Sequence, residues 1–429
     1  MSHYRAHTFD LQELNIVVQK ACLVVYNDNM RKQLLISFII LIFIFTMTVV
    51  SVLYAKGYRF GLDNGRPGVL GTGLLVVTSN PDGAQVLVND HLTTATNNTI
   101  NLSPGTYDVK IVKDGYFRWE KKITIEKEVV SKAEATLFPT APKLENITES
   151  GVGNPAIDPS YTKIAYTVAS QSARKNGIYV LDMANRSLLT LQSASTQIAD
   201  DTVGLFSTSE LAWSPDGKQI IATISSGPIT KTIYLLNATS FNSAPQDITE
   251  TLATVEADWQ KQTAEKDKAM IAPFPAKLRS LISTNFNVIS WSPDETKIFY
   301  VASVSATIPA IITPPVIGTD STTQARTIQK DAVYVYDSKE DKNYLLFPAT
   351  KQLGTAYMVN WFPDSKHLVV VHDRKIDIEE YDGGNITTVY AGPFTDAFVY
   401  PWPTATKIVI LTNLNNPDII PNLYTVDLK

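Results

Sequence analysis

An uncharged apolar run near the N-terminus, short alternating strands with evenly spaced turns after it, and a Trp/Pro/Asp frame that recurs five times predict a mainly β protein behind a single transmembrane helix. The expected order is one span, a small antiparallel β-sandwich, then a β-propeller of about five blades with a helical insertion, or six blades if an insertion hides a degenerate copy. The chain has 429 residues, which at roughly 100–200 residues per domain leaves room for two to four domains. Hydrophobic residues at 44% against 18% charged exclude a disordered chain. A net charge of −5 argues against nucleic acid as a partner, because such binders carry a basic surface. One cysteine, Cys22, excludes an internal disulfide framework, and five histidines stock the chain poorly for metal or acid–base chemistry.

The span comes first. Residues 34–54 are free of charge and rich in Ile, Leu, Phe and Val. As a helix they measure roughly 32 Å, enough to cross a hydrocarbon core. A cleavable signal peptide fits badly, since 33 residues precede the run and Leu53-Tyr54-Ala55 is a poor cleavage site. Residues 1–33 are expected to be a partly helical cytoplasmic segment, with Leu11, Leu14, Val18, Ala21 and Val25 on one helical face. Lys20, Arg31 and Lys32 before the span balance Lys56, Arg59 and Arg66 after it, so charge alone sets no orientation. Cysteine-free β-domains rich in Thr, Ser and Asn follow, which places the C-terminal side outside the cytoplasm. The expected location is therefore the cell membrane, with the lipid bilayer engaged by residues 34–54.

Six glycines between Gly57 and Gly73 make 55–71 read as a linker. Residues 72–139 then alternate short strands with turns at Asn80-Pro81-Asp82-Gly83, Pro104-Gly105 and Lys113-Asp114-Gly115. This segment resembles a PEGA domain. Pro81-Asp82-Gly83-Ala84 differs from that family's Pro-Glu-Gly-Ala turn at one acidic position, and Leu102-Ser103-Pro104-Gly105-Thr106-Tyr107 with Gly115-Tyr116 matches its later rhythm. The resemblance implies an extracytoplasmic surface module with no catalytic residues to carry over.

Residues 142–429 hold the repeat. Its five frames centre on Pro159, Trp213-Ser214-Pro215-Asp216, Trp291-Ser292-Pro293-Asp294, Trp361-Phe362-Pro363-Asp364 and Trp402-Pro403, each with an aliphatic residue five positions past the proline. Strand, turn, strand and an Ile-Tyr-Val-Asp-like strand make one blade, with the Trp expected between blades and the Asp bonding backbone two residues on. The frame resembles the WD-like repeats of TolB-type propellers. Lys143 to Thr148 is expected to supply the outermost strand of the last blade. The interval from Pro215 to Pro293 is too long for one blade. Its excess, about 247–283, reads as a helix begun by an Asp247/Glu250 capping box, with Leu252, Val255 and Trp259 as a stripe that either packs on the propeller or docks a partner, and a second helix after Pro275. About 308–329 reads as a loop insertion.

No Gly-x-Ser-x-Gly elbow, phosphate loop or EF-hand loop occurs, and no cofactor is expected. His367 and His372 lie five apart on one strand and so on opposite faces, which does not suit a metal pair. The expectation is a non-enzymatic, membrane-anchored extracytoplasmic scaffold that binds protein or envelope polymer, in keeping with the resemblance of this tandem to bacterial envelope proteins. Two other classes remain: a propeller enzyme acting on glycans or peptides, and a receptor signalling through residues 1–33.

Overall fold

The computed structural model describes residues 11–55, 58–63, 66–184, 195–227, 230–350, 357–395 and 397–429. By packing, one compact unit comprises Met1–Leu74, Asn101–Gly105 and Ile125–Val130, and the second comprises Leu75–Ile100, Thr106–Thr124 and Ser131–Lys429.

Helix α1, Leu11–Ala55, runs for 45 residues without a break. The two segments expected from the sequence are thus one helix, because no glycine or proline interrupts positions 11–55. Its part Lys32–Ala55 has a mean hydropathy of 2.8 over its most apolar stretch and none of that stretch is buried by protein, so it is long and apolar enough to cross a membrane. Residues 1–10 of the expected cytoplasmic segment lie outside the described residues.

The expected linker over 55–71 is corrected. Strands β1, Tyr58–Asp63, and β2, Arg66–Gly71, form a hairpin with Asp63 opposite Arg66. The intervening Asn64-Gly65 lies outside the described residues, as do Lys56 and Gly57. Asn-Gly is the dipeptide that two-residue hairpins favour, a signal that the glycine count concealed.

Seven strands follow: β3 Gly73–Asn80, β4 Gln85–Val88, β5 His91–Ala95, β6 Asn98–Leu102, β7 Gly105–Val112, β8 Trp119–Ile125 and β9 Val130–Thr136. They form two sheets, ordered β5–β4–β7–β8 and β6–β3–β9. Leu75 and Val77, Val86 and Val88, and Val109 and Ile111 alternate inward and are buried, as a half-covered strand requires. In β8 the inward positions are Trp119, Lys121 and Ile123; the lysine breaks the apolar pattern.

The rest is five four-stranded antiparallel sheets. Blade 1 is Gly153–Ile157, Lys163–Val168, Gly177–Asp182 and Ser195–Asp200. Blade 2 is Glu210–Trp213, Gln219–Ser225, Lys231–Asn237 and Gln246–Asp247. Blade 3 is Phe286–Trp291, Lys297–Ala302, Val333–Asp337 and Lys342–Phe347. Blade 4 is Met358–Trp361, His367–His372, Lys375–Glu380 and Thr387–Ala391. Blade 5 takes Val399–Pro401, Lys407–Thr412 and Asn422–Asp427 from the end of the chain and its outer strand, Leu144–Asn146, from the beginning. Leu144 stands opposite Val426, so the first strand of the segment covers the edge of the last sheet.

Four of the five junctions are direct. Ala165, Ile178 and Val180 of blade 1 meet Ile220, Ala222 and Leu236 of blade 2. Phe299, Val333 and Val335 of blade 3 meet Trp361, Leu368 and Val370 of blade 4. Val369, Ile376 and Ile378 of blade 4 meet Val399, Ile408 and Ile410 of blade 5. Val409, Leu411 and Leu423 of blade 5 meet Ile164, Tyr166 and Leu181 of blade 1. Between blades 2 and 3 the chain inserts helices α2, Leu252–Ile271, and α3, Ala276–Asn285. Among the described residues, no apolar cluster joins these two blades directly. Instead α2 covers Ile221 and Ile233 of blade 2 together with Ile248 just after its last strand, and Leu278, Leu281 and Ile282 of α3 are buried on Ile298, Tyr300, Tyr334 and Tyr336 of blade 3. The expected capping box is absent: Asp247 belongs to blade 2 and accepts the Thr249 N–H at 2.8 Å, while the N-cap Thr251 makes no side-chain cap bond.

Candidate functional site

The repeat residues turn out to build blades. Asp216 accepts the Lys218 N–H at 3.1 Å, Asp294 that of Thr296 at 3.2 Å and Asp364 that of Lys366 at 2.8 Å, so each carboxylate closes its own turn around Pro215, Pro293 or Pro363. The Pro159 turn is held by the buried Asp158, which accepts the Thr162 and Lys163 N–H groups at 2.7 and 2.6 Å. In the Pro403 turn, the Thr404 and Thr406 hydroxyls bond at 2.8 Å. Trp213 donates to the Ala156 carbonyl of blade 1 at 3.0 Å, Trp361 is only 8% exposed between blades 3 and 4, and Trp402 lies against the blade 5/blade 1 junction. Trp291 departs from the expected inter-blade position. It stacks on Phe274 in the α2–α3 connection, with centroids 5.7 Å apart and planes at 9°, because the inserted helices occupy the junction it would have filled.

Leu252, Val255 and Trp259 are half-buried against blade 2, so their own propeller occupies the stripe considered for a partner. In the Pro81-Asp82-Gly83-Ala84 turn, Gly83 has φ +68°, Lys113 donates to the Asp82 carbonyl at 2.7 Å, and Ala84 is buried. His367 and His372 point to different carboxylates, Asp364 at 2.6 Å and Asp377 at 2.7 Å, and no group of three metal-ligating side chains converges among the described residues.

The strongest concentration of ionisable groups lies elsewhere, where β8 and β9 of the sandwich meet the turns of blades 3 and 4. A cleft of about 420 Å³ there is lined by Trp119, Lys121, Glu134, Lys297, Asp320 and Tyr381, among others. The Lys121 ammonium reaches three carboxylates, Asp320 at 2.9 Å, Glu380 at 2.9 Å and Asp382 at 2.6 Å. Burial disfavours its charge, but Glu380, Asp382 and Asp320 outweigh that and hold its pKa well above the usual lysine value. The Trp119 indole N–H donates to Glu380, and Lys366 pairs with Glu134. The outer edge of β8 is covered by side chains rather than by a strand: Asn385 accepts the Glu120 N–H at 2.8 Å and Ser321 accepts the Thr124 N–H at 3.0 Å. Phe138 adds an apolar plug, meeting Phe362 and His367 edge-on at 6.2 and 5.5 Å within the blade 4/blade 5 cluster. Burial lowers the pKa of His367, yet the adjacent Asp364 carboxylate more than reverses this and raises it; Asp364 is itself held low despite its burial, chiefly by His367. The cluster is a seat: one ammonium shared by three carboxylates ties the sandwich to the propeller.

Sequence reasoning missed this seat. The one available signal was Lys121 at a core-facing position between Trp119 and Ile123. Its three partners come from the 308–329 insertion and the end of blade 4, far along the chain.

A comparison with protein families matches residues 72–141 to the PEGA domain. Residues 72–141 are a PEGA domain. Among solved structures the chain is similar to a putative TolB from Agrobacterium tumefaciens, at 14% identity over 63% of this chain and 76% of that one with a TM-score of 0.21. It is also similar to TolB from Acinetobacter baumannii, at 15% identity over 85% and 66% with a TM-score of 0.22. The Cps50 (Swd1) β-propeller domain of Myceliophteria thermophila matches at 9% identity over 67% of this chain and 100% of that one, with a TM-score of 0.29. At such scores the propeller assignment rests on this chain's own five sheets and their junctions. No curated protein matches the chain. The PEGA domain thus precedes a five-bladed propeller and follows a helix of membrane-crossing length.

Proposed function

We propose that this protein is a non-enzymatic scaffold, anchored in a membrane by α1, which presents its PEGA domain and propeller outside the cytoplasm to a protein or polymer of a bacterial envelope. The observation that carries this reading is the commitment of the Lys121 cluster. Three carboxylates beside the cleft, Asp320, Glu380 and Asp382, share one lysine and hold the sandwich to the turns of blades 3 and 4. Modules tied together in this way suit display and binding. The anchoring part of the reading is supported by the 24-residue apolar segment Lys32–Ala55, whose most apolar stretch protein does not bury.

Protease added to intact cells is expected to remove everything after the span, and a C-terminal domain protected until lysis overturns the orientation. The full chain, purified in detergent and incubated with envelope protein and polymer fractions, is expected to retain a partner without turning it over. Release of glycan or peptide products would instead establish the enzyme reading.

A further inference from the structure

Helix α1 extends well beyond its stretch of membrane-crossing length. It runs unbroken from Leu11 to Ala55, so 21 residues (31 − 11 + 1), roughly 32 Å of helix, precede Lys32, where the apolar segment begins. In that part Leu11, Leu14, Val18, Ala21 and Val25 recur at spacings of 3, 4, 3 and 4, the a and d positions of a heptad. Carried on, the same frame meets Asp28 and Lys32, then an aliphatic residue or Thr46 at every a and d position as far as Leu53. None of the five aromatic residues of α1 falls on it.

An apolar face on a helix in water has to be covered, since a lone helix of this length is marginal. We infer that a second copy of this chain covers it, in a parallel two-stranded coiled coil that leads into the span. Lipid is a poor cover. A helix resting on a bilayer has to bend away from one that crosses it, and sharp bends need proline, glycine or a bulge in the helix ladder. Positions 11–55 hold neither proline nor glycine, and α1 continues through Lys32. Three features favour an identical copy over another protein. Copies anchored by the same span bring their frames to one height in one direction, and confinement to a membrane raises their effective concentration. The a positions Val18, Val25, Ile39 and Thr46 are β-branched, which favours two strands. The flanking e and g positions from Asn15 to Arg31 hold a single charge, Arg31, so identical helices meet with little like-charge repulsion along the seam. Asp28 and Lys32 occupy successive d and a layers with opposite signs, which lets each face its counterpart in the other copy and fixes the register. Each assembly thus displays two PEGA domains and two propellers. This inference rests on the membrane-anchor reading, and its test separates the two.

The test uses the full chain with Cys22→Ser in isolated cell membranes. Single cysteines replace Leu14, Val18, Ala21 or Val25 on the frame, or Gln12, Gln19, Lys20 or Asn27 away from it, and copper phenanthroline drives oxidation. A disulfide-linked species of twice the chain mass is expected to form several-fold faster at the first four positions than at the last four. Leu14→Glu together with Val18→Glu is expected to abolish most of the cross-linking of Ala21→Cys while the chain stays in carbonate-washed membranes. Equal rates at all eight positions, no cross-linking at any, or a product of another mass overturns the dimer, and retention in washed membranes then leaves the anchor standing. Cross-linking that the double glutamate variant leaves unchanged also rejects the seam. Release of the chain by carbonate overturns the anchor, whatever the cross-links show.

Discussion

Two insertions lengthen this propeller, and they come to opposite ends. The helical insertion between blades 2 and 3 is drawn inward: α3 buries Leu278, Leu281 and Ile282, and α2 lays its stripe on blade 2. The insertion within blade 3 is directed outward, with a pinned root, a contact to the PEGA domain and an exposed aliphatic tip. The difference follows from patterning. Apolar residues at helical spacing form a stripe that only burial satisfies, while an uncharged run punctuated by Pro309, Pro314 and Pro315 cannot form a helix and satisfies its backbone through Asp341 and short ladders. An insertion's fate is thus set by where its apolar groups and backbone bonds can be met, and its length decides little.

The contrast between buried and projecting segments can be broken most directly at a blade junction. Trp361→Ala is expected to cost about 3–5 kcal/mol in denaturant unfolding, as an almost fully buried aromatic at a direct junction. Leu278→Ala in α3 should cost about 2–5 kcal/mol if the helices replace a blade contact; a loss near zero would mean that the junction does not depend on them. Lys121→Met leaves three carboxylates without their common partner. It should cost about 3–5 kcal/mol locally, read as faster hydrogen exchange in β8 and in the 318–321 segment while the blade 1/blade 2 core stays protected. Trp259→Ala, half-exposed on α2, should cost only about 1 kcal/mol. A much larger loss would put α2 on the same footing as α3.

The smallest effect is one of pH. The folded pKa of His367 is raised, so its contribution to stability is complete below the unfolded value of about 6.5 and is lost as pH rises through the folded value. The folded pKa of Asp364 is lowered, so its contribution is present above about 4 and is lost as pH falls through its own folded value. The stability difference between the natural chain and His367→Gln should therefore shrink as pH is raised from mildly acidic to alkaline. A difference that grows with pH would show that the Asp364 pair is not what holds the imidazolium.

Much of the architecture was legible residue by residue. Each Pro/Asp turn marked a blade, because a turn carboxylate bonds backbone only two residues away. The closing strand near Leu144 was legible because the last blade lacked an outer partner in sequence. The β1–β2 hairpin was not, since glycine content masked the Asn64-Gly65 signal. The position of Trp291 was not legible either, since its frame is identical to that of Trp213 while its neighbour is a helical connection in place of a blade.

The amino-acid sequence by itself determined the apolar helix, the PEGA domain, the five blades and the existence of both insertions. Each of these is written in periodicities and turns that act over a few residues. Only the tertiary structure decided that the helices stand in for a blade contact and that Lys121 is seated among Asp320, Glu380 and Asp382. Lys121 meets the first two across 199 and 259 positions of the chain, a separation at which local pattern carries no information and packing alone selects the partners.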